Sequence, residues 1–177
     1  MTVATLFHRA DRLERRMCVF ANAAARRRAL RSMFKTVSRL GDGVFWYTLM
    51  AMMPLLRGAQ GVVIAAQMLV TGAVGLLTYK LLKKKLVRER PFIGLIGIEC
   101  VMPPLDRYSF PSGHTLHAVL FTVLAVSYVP ELGIVLVPFA TLIAMSRVVL
   151  GLHYPSDVLV GAALGAGLAV GSLAILS

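Results

Sequence analysis

Residues 61–79 and 158–177 run without a single charged side chain. A helix needs about 20 mostly apolar residues to cross the hydrocarbon core of a bilayer, so both stretches predict spanning helices. Between residues 115 and 145 the only charge is Glu131, which stands beside Pro130 and marks a turn between two further spans. Residues 44–56 form a shorter apolar stretch bounded by Asp42 and Arg57. The pattern predicts an all-α polytopic membrane helix bundle with five spans, at 42–57, 60–82, 112–130, 132–150 and 156–176, and six helices with an amphipathic N-terminal one. Composition agrees: 58% of the 177 residues are hydrophobic and 15% charged, against about 45–50% and 25% in soluble domains. A water-soluble enzyme and a disordered chain are both excluded. Cys18 and Cys100 stand alone, which leaves no disulfide framework and no cysteine-based zinc site.

The chain divides at residue 40. Residues 1–39 carry Arg9, Arg12, Arg15, Arg16, Arg26, Arg27, Arg28, Arg31, Lys35 and Arg39, with Leu13, Met17, Phe20, Leu30 and Phe34 between them. No apolar run there is long enough to cross, and the piece at 17–25 is too short for a signal peptide. An amphipathic helix on an anionic lipid surface is the expectation, followed by a membrane-embedded domain at 40–177. The net charge of +11 does not point to nucleic acid, because no motif or aromatic pattern accompanies it. With five spans, the tail joins Lys80, Lys83, Lys84, Lys85, Arg88, Arg90, Arg107 and Arg147 on one side, which places 18 of 19 basic residues together and leaves Arg57 opposite. Loops rich in Lys and Arg stay cytoplasmic, so the expected setting is a bacterial inner membrane with the polar residues facing inward. Gly161, Gly165, Gly167 and Gly171 set small residues four apart, which lets helices approach closely within the bundle.

Three polar islands interrupt the apolar chain, each at a predicted helix end. Lys83 is followed after six residues by Arg90 and Pro91; Pro111, Ser112, Gly113 and His114 open a span; Ser146 and Arg147 are followed by His153 and Asp157. Ionisable groups at membrane depth are costly and usually functional. Lys and Arg neutralise a phosphate, and guanidinium can bind two of its oxygens. A helix N-terminus offers free backbone N–H groups to an anion. Two histidines and a carboxylate supply a nucleophile, an acid and an orienting partner.

The spacing K-x6-R-P, P-S-G-H and S-R-x5-H-x3-D resembles the type 2 phosphatidic acid phosphatase superfamily, with every signature position filled across residues 83–157. The run Asp106, Arg107, Tyr108, Ser109, Phe110 also resembles its polyisoprenoid diphosphate phosphatase branch. The resemblance implies a metal-independent, cofactor-free lipid phosphatase working through a phosphohistidine. His153 would attack phosphorus, Asp157 would orient it, and His114 would protonate the leaving alkoxide and then activate water. Lys83, Arg90, Ser112, the Gly113 amide and Arg147 would hold the phosphoryl oxygens. The substrate would be a lipid phosphate such as phosphatidate, phosphatidylglycerophosphate or a polyprenyl (di)phosphate. Transfer to another lipid acceptor, lipid A dephosphorylation and a lipid-binding scaffold are the alternatives. His117 is expected to pack or to touch substrate. Lys80, Lys84, Lys85 and Arg88 are expected to anchor the chain at the membrane surface. Residues 92–110 are expected to form a loop dipping into the interface near the site, and oligomeric state is unreadable.

Overall fold

A computed structural model describes the backbone of residues 3–176 and the side chains of residues 12–175. The side chains of Arg9 and Ser177 lie outside the described residues. All regular structure among the described residues is helical: α1 Val3–Ala23, α2 Arg28–Leu40, α3 Val44–Lys85, α4 Pro91–Gly94, α5 Gly113–Tyr128, α6 Gly133–Val149 and α7 Pro155–Leu176.

An unbroken α3 would measure about 60 Å, roughly twice the hydrocarbon thickness of a bilayer. It is not unbroken. Gly58 takes φ 57° and ψ −136°, a conformation that only glycine adopts cheaply, and the chain folds back on itself there. Directly beneath the turn, a Cβ on Gly61 would lie 2.1 Å from the Met53 carbonyl oxygen. The two arms coincide with the expected segments at 42–57 and 60–82. By length and composition Val44–Lys85, Pro130–Val149 and Pro155–Ile175 can cross a bilayer, and Gly113–Tyr128 is a shorter apolar helix.

Helix α5 stands at the centre, with Leu116, Leu120 and Leu124 fully buried among Met53, Met68 and Ile143. Its tightest neighbour is α7. A Cβ on Gly161 would come within 2.5 Å of the Ser112 carbonyl oxygen, and one on Gly165 within 2.3 Å of that of Leu116. These two glycines are therefore a seam within the bundle, whereas Gly167 and Gly171 face open space.

The basic N-terminal segment is two helices joined by a single 3-10 turn at Ala24–Arg26, and it packs on the bundle through one face. Helix α2 lies on α6, and α1 touches α6 and α7. Ala25 and Phe34 are buried against Val149, Leu150 and Leu152. Asn22 acts as a clasp: its Nδ2 donates to the carbonyls of Glu99 and Val149 at 3.0 Å each, while its Oδ1 accepts from the Glu99 amide at 2.9 Å. Arg31 pairs with the Glu99 carboxylate at 2.8 Å. Leu13, Met17 and Phe20 on the outer face stay exposed.

Replacing Gly165 with Ala drives a methyl group into backbone on α5, and overpacking of this kind costs about 1–3 kcal/mol. Gly167→Ala places the same methyl in open space. Thermal unfolding in detergent is expected to show a clearly lower midpoint for Gly165→Ala and none of that loss for Gly167→Ala; equal midpoints would contradict the seam.

Candidate active site

The ends of α3, α5 and α6, the loop before α7 and the connection from α4 to α5 meet around a cavity of about 280 Å³. Lys83, Arg90, Gly113, His114, Arg147 and His153 all line it. Local sequence explains each placement. Helix α5 begins at Gly113 because Ser112, in extended conformation, caps it by accepting from the Thr115 amide at 3.4 Å. This places Gly113 and His114, the first residues of α5, at the cavity. Pro155 opens α7, sets Asp157 in its first turn and leaves His153 in the short connection behind α6. The Ser112 amide donates to the Asp157 carbonyl at 3.0 Å, which ties the two helix starts together.

His153 is buried. Its Nε2 lies 3.4 Å from Nη1 of Arg90, and because arginine can only donate, Nε2 carries the lone pair. The proton then sits on Nδ1, which faces Asp157 Oδ2 at 3.5 Å. That separation is long for a hydrogen bond, and Nδ1 has no other partner. Burial, then the charges of Arg147 and Arg90, hold the imidazole well below the usual histidine range. The ring is thus neutral with its free electron pair at Nε2, the state a nucleophile requires.

Asp157 is wholly buried, and its two oxygens are held separately. Oδ2 accepts from the Tyr154 amide at 2.8 Å, and Oδ1 accepts from Nη1 of Arg88 at 2.7 Å. Arg88 was expected at the membrane surface, but it is drawn inward instead. Its guanidinium stacks 3.9 Å from the Tyr154 ring centre and pairs with Glu14 at 2.8 Å. Glu14 also accepts from the Ser156 amide at 2.8 Å, so α1 reaches the carboxylate behind His153 through one intermediary.

The cations are secured mainly by carbonyls. Lys83 donates to the Tyr108 carbonyl at 2.8 Å, and Arg90 donates to those of Asp106 at 3.0 Å and Leu152 at 2.7 Å. Asp106 Oδ1 bridges both cations, 2.6 Å from Lys83 Nζ and 2.8 Å from Arg90 Nη2. Burial alone would raise the Asp106 pKa, but the hydrogen bond and charge of Lys83, aided by Arg90, hold it below the ordinary carboxylate range. Arg147 donates to the Ser38 hydroxyl of α2, while its buried Nε has no partner. His114 Nε2 meets the carboxylate of Asp42, from the turn between α2 and α3.

Two sequence-derived residues sit differently from the rest. The Ser112 hydroxyl lies 3.0 Å from that of Thr115 and is fully buried at the helix cap. His117 spans Gly113 O at 3.0 Å and Gly72 O at 3.1 Å, so it braces α5 against α3 at the cavity wall. Asp42, Ser38, Glu14 and Asp106 were not anticipated as site residues. Asp106 had a signal, since it lies five residues before Pro111 in a short polar run; the other three carry none, because only tertiary packing brings them here. In a chain with ring-labelled histidines, the His153 resonance, assigned by its loss in His153→Gln, is expected to titrate well below the ordinary 6.5. The neutral form then persists as pH falls through that value and is lost only at the lowered pKa; a midpoint at or above 6.5 would contradict the electrostatics.

Similarity to known proteins follows the same geometry. Decaprenylphosphoryl-5-phosphoribose phosphatase of Mycobacterium tuberculosis is 43% identical over 89 residues, covering 49% of this chain and 46% of that protein. The chain thus matches less than half the length of that relative. The crystal structure of Aquifex aeolicus LpxE superposes with a TM-score of 0.78 at 26% identity, covering 89% of this chain and 93% of that one. A PAP2-type phosphatidylglycerolphosphate phosphatase from Bacillus subtilis gives 0.73 at 25% identity, covering 94% and 85%. Residues 60–177, which contain all three polar islands, match the family described as the PAP2 superfamily. The chain belongs to the PAP2 superfamily.

Proposed function

We propose that this chain is an integral-membrane phosphatase that hydrolyses a phosphate monoester or diphosphate of a lipid, taking its terminal phosphoryl group through a phosphohistidine on His153. The observation that carries the reading is the mixed lining of one cavity: Lys83, Arg90, Arg147, His114 and His153 share it with apolar residues of α3, among them Trp46, Leu69 and Leu76. A charged headgroup suits the first set and an apolar tail the second. The names of the mycobacterial and Bacillus relatives, which describe phosphatases of lipid-linked phosphates, support the same substrate class.

In the first step the lone pair on His153 Nε2 attacks phosphorus, and the P–O bond to the lipid breaks. His114 delivers a proton to the departing oxygen, the alkoxide of a monoester or the lipid-phosphate oxygen of a diphosphate, which leaves it able to take one from water in the second step. Water then adds to phosphorus, the N–P bond breaks, and inorganic phosphate and free His153 result. Asp157 holds Nδ1–H in register, and Arg88 and the Tyr154 amide fix Asp157. Lys83, Arg90, Arg147 and the Gly113 amide stabilise the charge that develops on the phosphoryl oxygens, commonly the largest contribution in such sites. Ser112 contributes by capping α5 and aiming that amide.

The two α3 arms, α5, α6 and α7 make five crossings, and α1 and α2 rest on the cytoplasmic surface, where their arginines meet anionic lipid. Arg57 stands at the opposite end, where it donates to the carbonyl of Tyr128 at the far terminus of α5. Cys100 is an exposed natural reporter on the site's side. An impermeant maleimide should label it only after cells are opened, and labelling in intact cells would place the site outside.

Phosphate release from phosphatidate, phosphatidylglycerophosphate and polyprenyl diphosphate tests the activity directly. At least one should be hydrolysed, and His153→Ala should lower that rate by about 1,000-fold or more. Full release by the variant, or transfer of labelled phosphate to a second lipid instead of water, would overturn the proposal.

A further inference from the structure

Asp106 bridges two of the three cations assigned to phosphate, Lys83 and Arg90. A single oxygen, Oδ1, sits 2.6 Å from Lys83 Nζ and 2.8 Å from Arg90 Nη2, the arrangement a phosphoryl oxygen would take between the same groups. The carboxylate is not needed to hold the cations in place. Lys83 keeps the Tyr108 carbonyl, and Arg90 keeps the carbonyls of Asp106 and Leu152, all backbone contacts that survive a rotation of the Asp106 side chain. The side chains of Lys83 and Arg90 are nearly inaccessible, at 8% and 2%, whereas that of Asp106 is 36% exposed. It therefore has solvent to turn into.

We infer that Asp106 is a built-in competing anion: it occupies the phosphate cradle between turnovers, gives way to the substrate phosphoryl group, and expels inorganic phosphate when it returns. This rests on the reading of Lys83 and Arg90 as phosphate ligands. The physical case is one of charge. Two desolvated cations with no counter-ion would repel each other in a weakly polarisable setting, and Asp106 relieves that repulsion when no substrate is bound. A tightly held product is the usual hazard of a strongly cationic pocket. An internal carboxylate of similar geometry weakens phosphate binding by competition, at the expense of some substrate affinity. Residue 106 thereby sets product release and the strength of phosphate inhibition rather than the chemistry itself.

The test uses the full chain in detergent, with orthovanadate and inorganic phosphate as probes. Asp106→Asn and Asp106→Ser should each bind vanadate about tenfold or more tightly than the unmodified chain, with phosphate inhibition strengthened in parallel. Equal or weaker binding by both variants overturns the inference. A structure of the unmodified chain with vanadate bound gives a second reading that needs no variant. The Asp106 carboxylate should have left Lys83 while the Tyr108 carbonyl remains on it; a carboxylate still bridging both cations beside bound vanadate overturns the inference. Failure of the unmodified chain and of both variants to bind either anion would instead remove the phosphate reading beneath it.

Discussion

The contact between the N-terminal turns of α5 and α7 is what the site depends on. Two glycines on α7 let its backbone approach the carbonyls of Ser112 and Leu116 with no side chain between, and the Ser112 amide closes the gap by donating to the Asp157 carbonyl at 3.0 Å. Residues 45 or more positions apart in sequence are thus locked as one unit. One half carries the helix start that faces the cavity, and the other carries the carboxylate behind His153. Because van der Waals fit rather than hydrophobic exclusion drives helix association within lipid, this close seam is the natural way to hold the two motifs in fixed register.

The second constraint is electrostatic. Lys83, Arg90 and Arg147 are all buried in a protein whose surroundings are largely apolar, and isolated buried charges are expensive. The fold offsets this with backbone carbonyls at Tyr108, Asp106 and Leu152 and with the Asp106 carboxylate. Burial first, and then the same cations, favour the neutral form of His153, so the arrangement that would attract phosphate also leaves the imidazole with a free electron pair. Arg88 plays the complementary part behind the ring. It fixes Asp157 through one oxygen and leaves the other turned toward His153 Nδ1. Glu14 extends that chain of contacts to α1, so the basic N-terminal segment is mechanically joined to the site.

How much of this was legible in the sequence follows from the range of the interactions involved. Apolar runs and their punctuation are local, so the helices at 113–128, 133–149 and 155–176 fall within about two residues of their expected limits. Gly58 likewise divides α3 where the charge pattern separated two segments. The spacing of the three polar islands brought Lys83, Arg90, His114, Arg147 and His153 into one candidate set, and they share one cavity. What escaped is long-range. Arg88 was grouped with its lysine neighbours as a surface anchor, because nothing in its immediate sequence announces Asp157 or Tyr154. Asp42 and Ser38 look like an ordinary turn and a helical serine until α2 docks on α6. Residues 1–39 showed their charge but not their inner face, since Asn22, Ala25 and Phe34 acquire a role only through Glu99 and Leu150.

The proposed chemistry is covalent, with His153 Nε2 taking the phosphoryl group before water does. Rapid quenching of the chain with a lipid carrying labelled phosphate, followed by peptide mapping, tests it most directly. Transient label is expected on the peptide containing residue 153, stable to alkali and lost in acid as a phosphorus–nitrogen bond should be, and absent from His153→Ala. Hydrolysis that proceeds with no labelled protein at any time, or with label on a different residue, would contradict it.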